Sequence, residues 1–386
     1  MRLDDVRVLD LTRLLPGPYA TQLLADAGAD VIKIEDTGAG DYARFTPPMS
    51  ERGVGALFDS VNRGKQSVAI DLKSERGREV FYQLVADADV VFEQFRPGVV
   101  DRLGIDYDTL REYNDDLVYC SLSGYGQTGP YADRVGHDLN YIGVAGLLDM
   151  TREDEGMAPQ IPGYQIGDLG GGLFSAFAII GGLLSRELGG GGEYIDVSMT
   201  DVVASFSQAI AYEALTGDDP RPGETALTGQ YPWYDVYETA DGRYVTLAAL
   251  EPKFWQAFCE EVGHEELIEA HMTDDPAESK AVRETLTELF AGKTQDEWVD
   301  ELSDETMTAP VCTPAEAVEH PQLTDRVVVD PDDAPPRVGF PASGTNIPPV
   351  DDESVPSHGE HTDEVLGAVG VDADELETLR DSGVIS

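Results

Sequence analysis

Two short motifs place acid–base side chains beside glycines. The motif "GHDLNY" carries His137 followed by Asp138, and the motif "GDLGGG" carries Asp168. The chain contains only 6 histidines, so one placed directly before an aspartate is a candidate for proton transfer. An imidazole and a carboxyl group can serve as acid and base in one site, and Asp168 is the carboxyl group that we take as the proton partner.

Each of these residues also has an ordinary structural explanation. A loop histidine is commonly a surface residue or a hydrogen-bonded structural one. Asp168 precedes an apolar helical stretch, where aspartate is a favoured N-cap and where the helix dipole would hold its carboxylate ionised. The glycines after it allow a second backbone or a ligand to approach closely. Taken alone, the two motifs leave both explanations open.

Residues 1–125 alternate between strand-like and helix-like stretches. This is the pattern of β–α–β units, and it predicts an α/β fold with a parallel, Rossmann-like sheet. A helix rich in small and apolar residues is predicted from Asp168 to about Leu188, and its N-terminus could offer N–H groups to an oxyanion. The predicted strands are Val6–Leu11, Val31–Glu35, Ser67–Leu72, Val90–Phe95, Leu117–Ser123 and one that begins at Tyr194.

A second, smaller domain follows. We predict a large Rossmann-like domain over 1–216, a linker over 217–230, a small α/β domain over 231–325 and a tail over 326–386 that returns to the large domain. Within the small domain, "WYDVYETADGRYVTLAAL" predicts a hairpin that turns at Asp241–Gly242. The longest apolar run, Leu173–Leu184, is too short to span a bilayer and predicts a buried helix, and we identify no signal peptide.

The charge of the chain excludes several partners. It has 74 acidic against 26 basic residues, a net charge of −48, spread along the whole sequence. Such a field repels nucleic acid, and it is typical of the acidic surfaces of proteins from high-salt cytoplasm. We expect no membrane partner either. Three cysteines without paired or metal-type spacing favour a reduced, cytoplasmic location.

Two further motifs carry less weight. "GYGQTG" (Gly124–Gly129) matches G-x-G-x-x-G after a strand, but Pro130 follows and no helix pattern opens there, so we interpret it as a glycine-rich loop that lines a pocket. "HGEH" (His358–His361) lacks the spacing of a zinc motif. We therefore expect no metal and no nucleotide cofactor.

The motifs together resemble the family III CoA-transferases (the CaiB/BaiF family), over nearly the whole chain. The resemblance rests on "RLLPGPYATQLLADAGADVIKIE", "NRGKQSVAIDLKSERGREV", "FRPGVVDRLGIDYDTL", "GDLGGGLFSAFAIIGGLL" and "GEHTDEVLG". Within the family, "GHDLNY" and "ETADGRYVTLAALEPKFW" resemble the α-methylacyl-CoA racemases. The transferase branch typically lacks the histidine of "GHD" and the "EP" pair, so we favour the racemase branch.

The resemblance implies a role for each matching residue. His137 and Asp168 would be the two catalytic bases, Glu251 would support His137 from the small domain, and Arg102 matches an active-site arginine. Racemases often carry an arginine where this chain has Asp36. The resemblance also implies an interlocked homodimer. The implied acyl-CoA contacts are Ala69, Ile70, Asp71, Leu72, Gly136, Asp138, Leu139, Asn140 and Tyr141, with Lys33, Arg63, Lys65 and Arg96 as candidate phosphate partners.

Three functions remain open at this point. A racemase would remove the α-proton of a 2-methylacyl-CoA from one face and return a proton to the other, which requires Asp168 to be protonated part of the time. A CoA-transferase would instead use ionised Asp168 as a nucleophile on the acyl-CoA thioester. The third is an acyl-CoA-binding protein without catalysis, against which the intact His137, Asp168 and Glu251 argue.

Overall fold

The chain divides into two compact units. The computed structural model describes residues 2–153, 156–331, 334–346 and 354–386. The first unit comprises residues 1–147, 162–206 and 324–386, and the second comprises residues 148–161 and 207–323. The prediction assigned 148–161 and 207–216 to the large domain, whereas the structure groups both with the second unit.

A parallel sheet of six strands forms the centre of the first unit. Its strand order is β3-β2-β1-β4-β5-β6, and every neighbouring pair is parallel. This order is the one found in dinucleotide-binding Rossmann domains, in which ligands bind beyond the carboxyl ends of the strands. The α/β fold class is confirmed. The strands are β1 (Arg7–Asp10), β2 (Asp30–Glu35), β3 (Gln66–Ala69), β4 (Val90–Glu93), β5 (Val118–Ser123) and β6 (Glu193–Ser198).

Helices cover both faces of this sheet. Two apolar clusters lie on opposite faces, one built around Phe81 and Tyr119 and the other around Phe92 and Ile179. The helices are α1 (Pro16–Asp26), α2 (Ala56–Val61), α3 (Glu75–Ala86), α4 (Val99–Leu103), α5 (Tyr107–Leu110), α6 (Asp138–Val144), α7 (Ile166–Ser185) and α8 (Met199–Ser205), with a 3₁₀ helix at Tyr42–Phe45.

The glycines of α7 allow it to pack closely against its neighbours. A Cβ on Gly172 would lie 2.3 Å from the carbonyl oxygen of Pro16 in α1, and one on Gly171 would lie 2.5 Å from Met199 Cγ in α8. The helix continues as a π-type turn over Arg186–Gly190. The stretch Ile166–Gly190 is long and apolar enough to cross a membrane, but 44% of its most apolar 18 residues are buried and it packs on the sheet. It is a core helix of the first unit.

The second unit is a small α/β domain with its own aromatic core. Strands β7 (Tyr234–Glu238), β8 (Tyr244–Ala248) and β9 (Thr308–Pro310) form an antiparallel sheet. The hairpin between β7 and β8 turns at Gly242, whose φ is +74°. Trp233, Trp255 and Trp298 are buried in its core. Its helices are α9 (Gln208–Thr216), α10 (Pro252–Val262), α11 (Pro276–Phe290), α12 (Gln295–Glu301) and α13 (Pro314–Glu319), with 3₁₀ helices at Asp149–Thr151 and Glu265–Ala270.

The C-terminal residues of the chain pack on the sheet of the first unit. The Thr362 hydroxyl accepts from the Ala69 N–H at 3.1 Å, and the Asp71 N–H donates to the carbonyl of Val384 at 2.8 Å. Parts of the predicted tail, at 332–333 and 347–353, lie outside the described residues. The tail elements are α14 (Pro321–Arg326), β10 (Val328–Val329), β11 (Arg337–Val338), α15 (Thr362–Ala368) and α16 (Ala373–Asp381).

Candidate active site

His137 is the N-cap residue of α6. Its backbone is extended, and its N–H donates to the side-chain oxygen of Asn140 at 3.0 Å, which fixes the entry into the helix. Because an N-cap residue stands outside the helical turn, its side chain does not pack along the helix, and that of His137 is exposed. The imidazole is therefore accessible to a ligand on the surface of the first unit.

Asp138, the next residue, connects the start of α6 to the start of α7. Its Oδ1 accepts the backbone N–H of Gly167 at 2.6 Å and that of Asp168 at 3.1 Å. These N–H groups belong to the first turn of α7, which has no partner for them within the helix. Asp138 thus links the start of α6, which carries His137, to the start of α7, which carries Asp168. The structure also corrects the expectation that this helix end offers free donors to an oxyanion, because Asp138 occupies them.

Asp168 lies half-buried in the first turn of α7. Burial, together with the nearby negative charge of Asp138 as the smaller cause, raises the pKa of its carboxyl group to about 7. The helix dipole alone would favour the ionised form. Desolvation and a like charge outweigh it here, so Asp168 can hold or release a proton near neutral pH.

The wall beside Asp168 is formed by Tyr141. Its hydroxyl donates to the carbonyl of Gly136 at 2.5 Å, and its ring meets that of Tyr125 edge to face with centroids 5.2 Å apart. A Cβ on Gly124 would lie 2.3 Å from this ring. Burial, followed by the charge of Asp168, raises the pKa of Tyr141 to about 12, so its hydroxyl stays protonated. The glycines of this region serve the packing of Tyr141.

The "GYGQTG" loop is fixed to the carboxyl edge of the sheet. The side-chain amide of Gln127 donates to the Ser121 hydroxyl at 2.8 Å, and the Ser121 hydroxyl donates to Glu93. Glu93 also accepts the N–H of Phe95 at 2.6 Å. Burial raises the pKa of Glu93 to about 7. Sequence reasoning missed this buried carboxyl group, because a single Glu at the end of an apolar strand gives no local signal of burial.

A cavity of about 330 Å³ opens beyond the carboxyl ends of β1, β2 and β3. Ile70, Asp71 and Leu72 from the predicted acyl-CoA segment line it, and so does Asp36. Two cations that the sequence analysis did not single out also line it. Arg13 lies half-buried with its guanidinium 5.1 Å from the centroid of the Tyr42 ring, and Lys73 is exposed.

The family of the chain follows from comparison with known proteins. A family model described as CoA-transferase family III matches residues 3–362. This chain belongs to CoA-transferase family III. The closely similar structure of a CaiB/BaiF family protein from Brucella suis has 30% identity and a TM-score of 0.82, and the match covers 96% of this chain and 100% of that one.

Relatives in family III fall into both branches. Succinyl-CoA:mesaconate CoA-transferase from Haloarcula marismortui is 35% identical, over 96% of this chain and 97% of the relative. Alpha-methylacyl-CoA racemase from Mus musculus is 33% identical, over 100% of this chain and 98% of the relative. The chain is therefore similar to enzymes that act on acyl-CoA, and identity alone does not separate transferase from isomerase.

Three of the candidate phosphate partners of this family III protein are directed inward. Lys33 is fully buried, 3.0 Å from Asp41, and Lys65 is fully buried with Thr21, Asn62 and Asp10 around its ammonium group. Arg63 is buried 3.7 Å from Asp26. Their charges are matched inside the protein, so we do not retain Lys33, Arg63 and Lys65 as phosphate partners.

The other predicted cations are at the surface. Arg96 follows β4 and is exposed, and Arg102 lies on α4 with its guanidinium 3.3 Å from the position of a Cβ on Gly98. Leu103, next to Arg102, lines the cavity. Arg96 remains a candidate phosphate partner, and Arg102 remains a predicted active-site residue.

Glu251 belongs to the second unit. It is the N-cap of α10, three residues after the end of β8, and it is exposed. Pro252 at the first helical position fixes this start of the helix. The support of His137 by Glu251 remains a prediction.

The histidines of "HGEH" contact the sheet. His358 Nε2 lies 2.7 Å from the carbonyl oxygen of Asp36, and His361 Nδ1 accepts the N–H of Ser67 at 3.2 Å. Among the described residues, no group of three or more His, Cys, Asp or Glu could hold a metal ion.

Proposed function

We propose that this family III protein is an α-methylacyl-CoA racemase, which interconverts (2R)- and (2S)-2-methylacyl-CoA thioesters by 1,1-proton transfer through an enolate. One observation carries the proposal. His137 stands directly before the residue that binds the backbone of Asp168, and Asp168 has a pKa raised to about 7. An imidazole paired with a carboxyl group that can be protonated near neutral pH is what a two-base racemase needs.

The proposed chemistry uses each group in both directions. The thioester acidifies the α-hydrogen because the enolate spreads its charge onto the thioester oxygen. Neutral His137 removes the proton from one enantiomer while protonated Asp168 delivers one to the opposite face, and the roles reverse for the other enantiomer. The pKa of Asp168 is raised to about 7, so this carboxyl group can give a proton in one direction and take one in the other near neutral pH.

We propose the cavity beyond β1–β3 as the site of the CoA nucleotide. It lies where ligands bind in Rossmann-type sheets, and the predicted segment Ala69–Leu72 borders it. Arg13 and Lys73 in its lining, and Arg96 directly after the lining residue Phe95, are the cations that we assign to the phosphates. They compensate in this proposal for Asp36, whose carboxylate stands where racemases often have arginine.

We further propose that the enzyme is an interlocked homodimer. Leu173, Phe174, Phe177 and Leu184 form an exposed apolar face of α7, with 68% of Phe177 accessible. A contiguous apolar face of this kind is typical of a subunit interface, and a second copy of this chain is the occupant that the family resemblance implies. Sedimentation of the purified protein tests this, since a monomer at micromolar concentration would contradict it.

The acidic surface and free cysteines support a reduced, high-salt cytoplasm as its location.

The second candidate is a CoA-transferase, favoured by the similarity to succinyl-CoA:mesaconate CoA-transferase. In that reaction ionised Asp168 would attack the acyl-CoA thioester, and His137 would have no role. The experiment that separates the two is incubation of a 2-methylacyl-CoA with the protein in D₂O, followed by NMR of the α-carbon. Deuterium incorporation with loss of optical purity supports the racemase. Absence of exchange from either enantiomer, together with an aspartyl hydroxamate trapped at Asp168 by hydroxylamine, supports the transferase.

A further inference from the structure

We infer that Asp138 is a positioning residue for His137 and Asp168. It links the start of α6, where His137 lies, to the start of α7, where Asp168 lies, and it holds a negative charge near the Asp168 carboxyl group. The inference rests on the proposed function, because it assigns the control of Asp168 as a proton donor. It differs from the implied role of Asp138 as a contact of the acyl-CoA.

The geometry shows a fitted contact between two helices. One carboxylate oxygen of Asp138 accepts two successive N–H groups, those of Gly167 and Asp168, from the first turn of α7. A Cβ on Gly167 would lie 3.1 Å from this oxygen, so a side chain there would press on the carboxylate. The contact therefore fixes the start of α7 to the residue that follows His137, and a shift of either helix start would move both bases.

Among the described residues, no positively charged side chain contributes to the pKa of Asp168. The elements packed against α7 carry the titratable groups Tyr19 and Asp26 on α1, Asp138 and Tyr141 on α6, Tyr119 and Cys120 on β5, Glu193, Tyr194 and Asp196 on β6, and Asp201 on α8, with His137 directly before α6. Arg186 and Glu187 lie at the opposite, C-terminal end of α7. Burial and the charge of Asp138 are the two causes of the raised pKa of Asp168.

This arrangement separates the roles of two neighbouring aspartates. Asp138 accepts the two backbone N–H groups at the start of α7, and its charge disfavours a second anion at Asp168. Asp168 can therefore donate a proton to an enolate, as racemisation requires. Without the charge at Asp138, Asp168 would be more fully ionised at neutral pH, and it would lose capacity as a proton donor.

The test separates charge from hydrogen bonding. Asp138→Asn keeps an oxygen that can accept both N–H groups but removes the charge, whereas Asp138→Ala removes both. Asp372→Asn is the matched control, because Asp372 caps α16 through the N–H of Glu375, on a different helix. Thermal unfolding of each variant shows whether the fold is kept.

Two readouts are measured. Infrared difference titration, with spectra of Asp168→Asn variants subtracted, follows the Asp168 carboxyl group without turnover. We expect Asp138→Asn to lower its titration midpoint by about one pH unit, and the control to leave it unchanged. The second readout is the pH dependence of kcat for α-proton exchange. We expect the limb that reports protonated Asp168 to move to lower pH, with KM little changed.

The outcomes test the role of Asp138 separately from the proposed racemase activity. An unchanged infrared midpoint in a folded Asp138→Asn protein would overturn the role of Asp138, even if the enzyme racemises normally. A lowered midpoint in a protein that exchanges neither enantiomer would support the role of Asp138 and count against the racemase.

Discussion

Glu93 and Ser121 face each other across two neighbouring parallel strands, and the Ser121 hydroxyl donates to the Glu93 carboxyl group. Through Gln127, this pair fixes the glycine-rich loop that leads towards His137. Burial raises the pKa of Glu93 from 4.5 to about 7. The pair therefore connects the stability of the sheet edge to pH.

The gain in free energy of unfolding from Glu93→Gln, relative to the unchanged protein, is expected to grow as pH rises. In the unfolded chain Glu93 ionises above about pH 4.5, whereas in the folded state it keeps its proton to about pH 7. The folded state thus binds more protons in this window, so stability falls as pH rises through it, by up to about 3 kcal/mol. Urea unfolding at pH 5 and pH 8 measures the difference, with Glu377→Gln on exposed α16 as control. An equal effect of Glu93→Gln at both pH values would contradict this.

Arg13→Ala and Lys73→Ala are expected to weaken substrate binding without destabilising the fold. Each removes one cation from the lining of the cavity that we assign to the CoA nucleotide. KM for acyl-CoA should rise roughly tenfold per variant, equivalent to about 1.4 kcal/mol, with kcat retained. Steady-state kinetics and thermal unfolding provide the comparison.

Lys65→Met serves as the contrasting variant for this prediction. It leaves Asp10 buried without that cation, which typically costs about 3–5 kcal/mol of stability. A raised KM with unchanged stability for Lys65→Met, or an unaltered KM for both cavity variants, would place the phosphates elsewhere.

Gly172→Ala is expected to separate α7 from α1. The new Cβ would lie 2.3 Å from the Pro16 carbonyl oxygen, and backbone on both sides cannot yield without moving a helix. We expect the free energy of unfolding to fall by about 1–3 kcal/mol. Activity should also fall, since Asp168 lies in the same helix. Gly367→Ala, in α15 with no atom within 4 Å of the new Cβ, should be neutral or stabilising by up to about 1 kcal/mol. Equal unfolding temperatures for the two variants would contradict the packing argument.

The parallel sheet could be predicted from sequence because its buried strands are apolar, as in Val90–Glu93 and Val118–Ser123. The helices between the strands have their own start and stop signals. The short strand β9 could not be predicted, because its three residues pair only through contacts distant in sequence. The division of residues 199–216 into α8 and α9 near Phe206 was not predictable either, because no glycine or proline marks that break.

The candidate site could be predicted in part. His137 and Asp168 were identifiable from their motifs, and the structure joins their supports through Asp138. The inward direction of Lys33 and Lys65 was not predictable, because their partners Asp41 and Asp10 come from other parts of the chain. In so acidic a protein a surviving lysine suggests a function, and here that function is internal charge balance.

The most direct test of the account is deuterium exchange by the two single-base variants, His137→Ala and Asp168→Asn, with each enantiomer of a 2-methylacyl-CoA in D₂O. If an imidazole and a carboxyl group act on opposite faces, each variant keeps one base and exchanges one enantiomer with retention of configuration. The account predicts that the two variants exchange opposite enantiomers and that neither racemises. Exchange of the same enantiomer by both variants, or racemisation by either one, would contradict it.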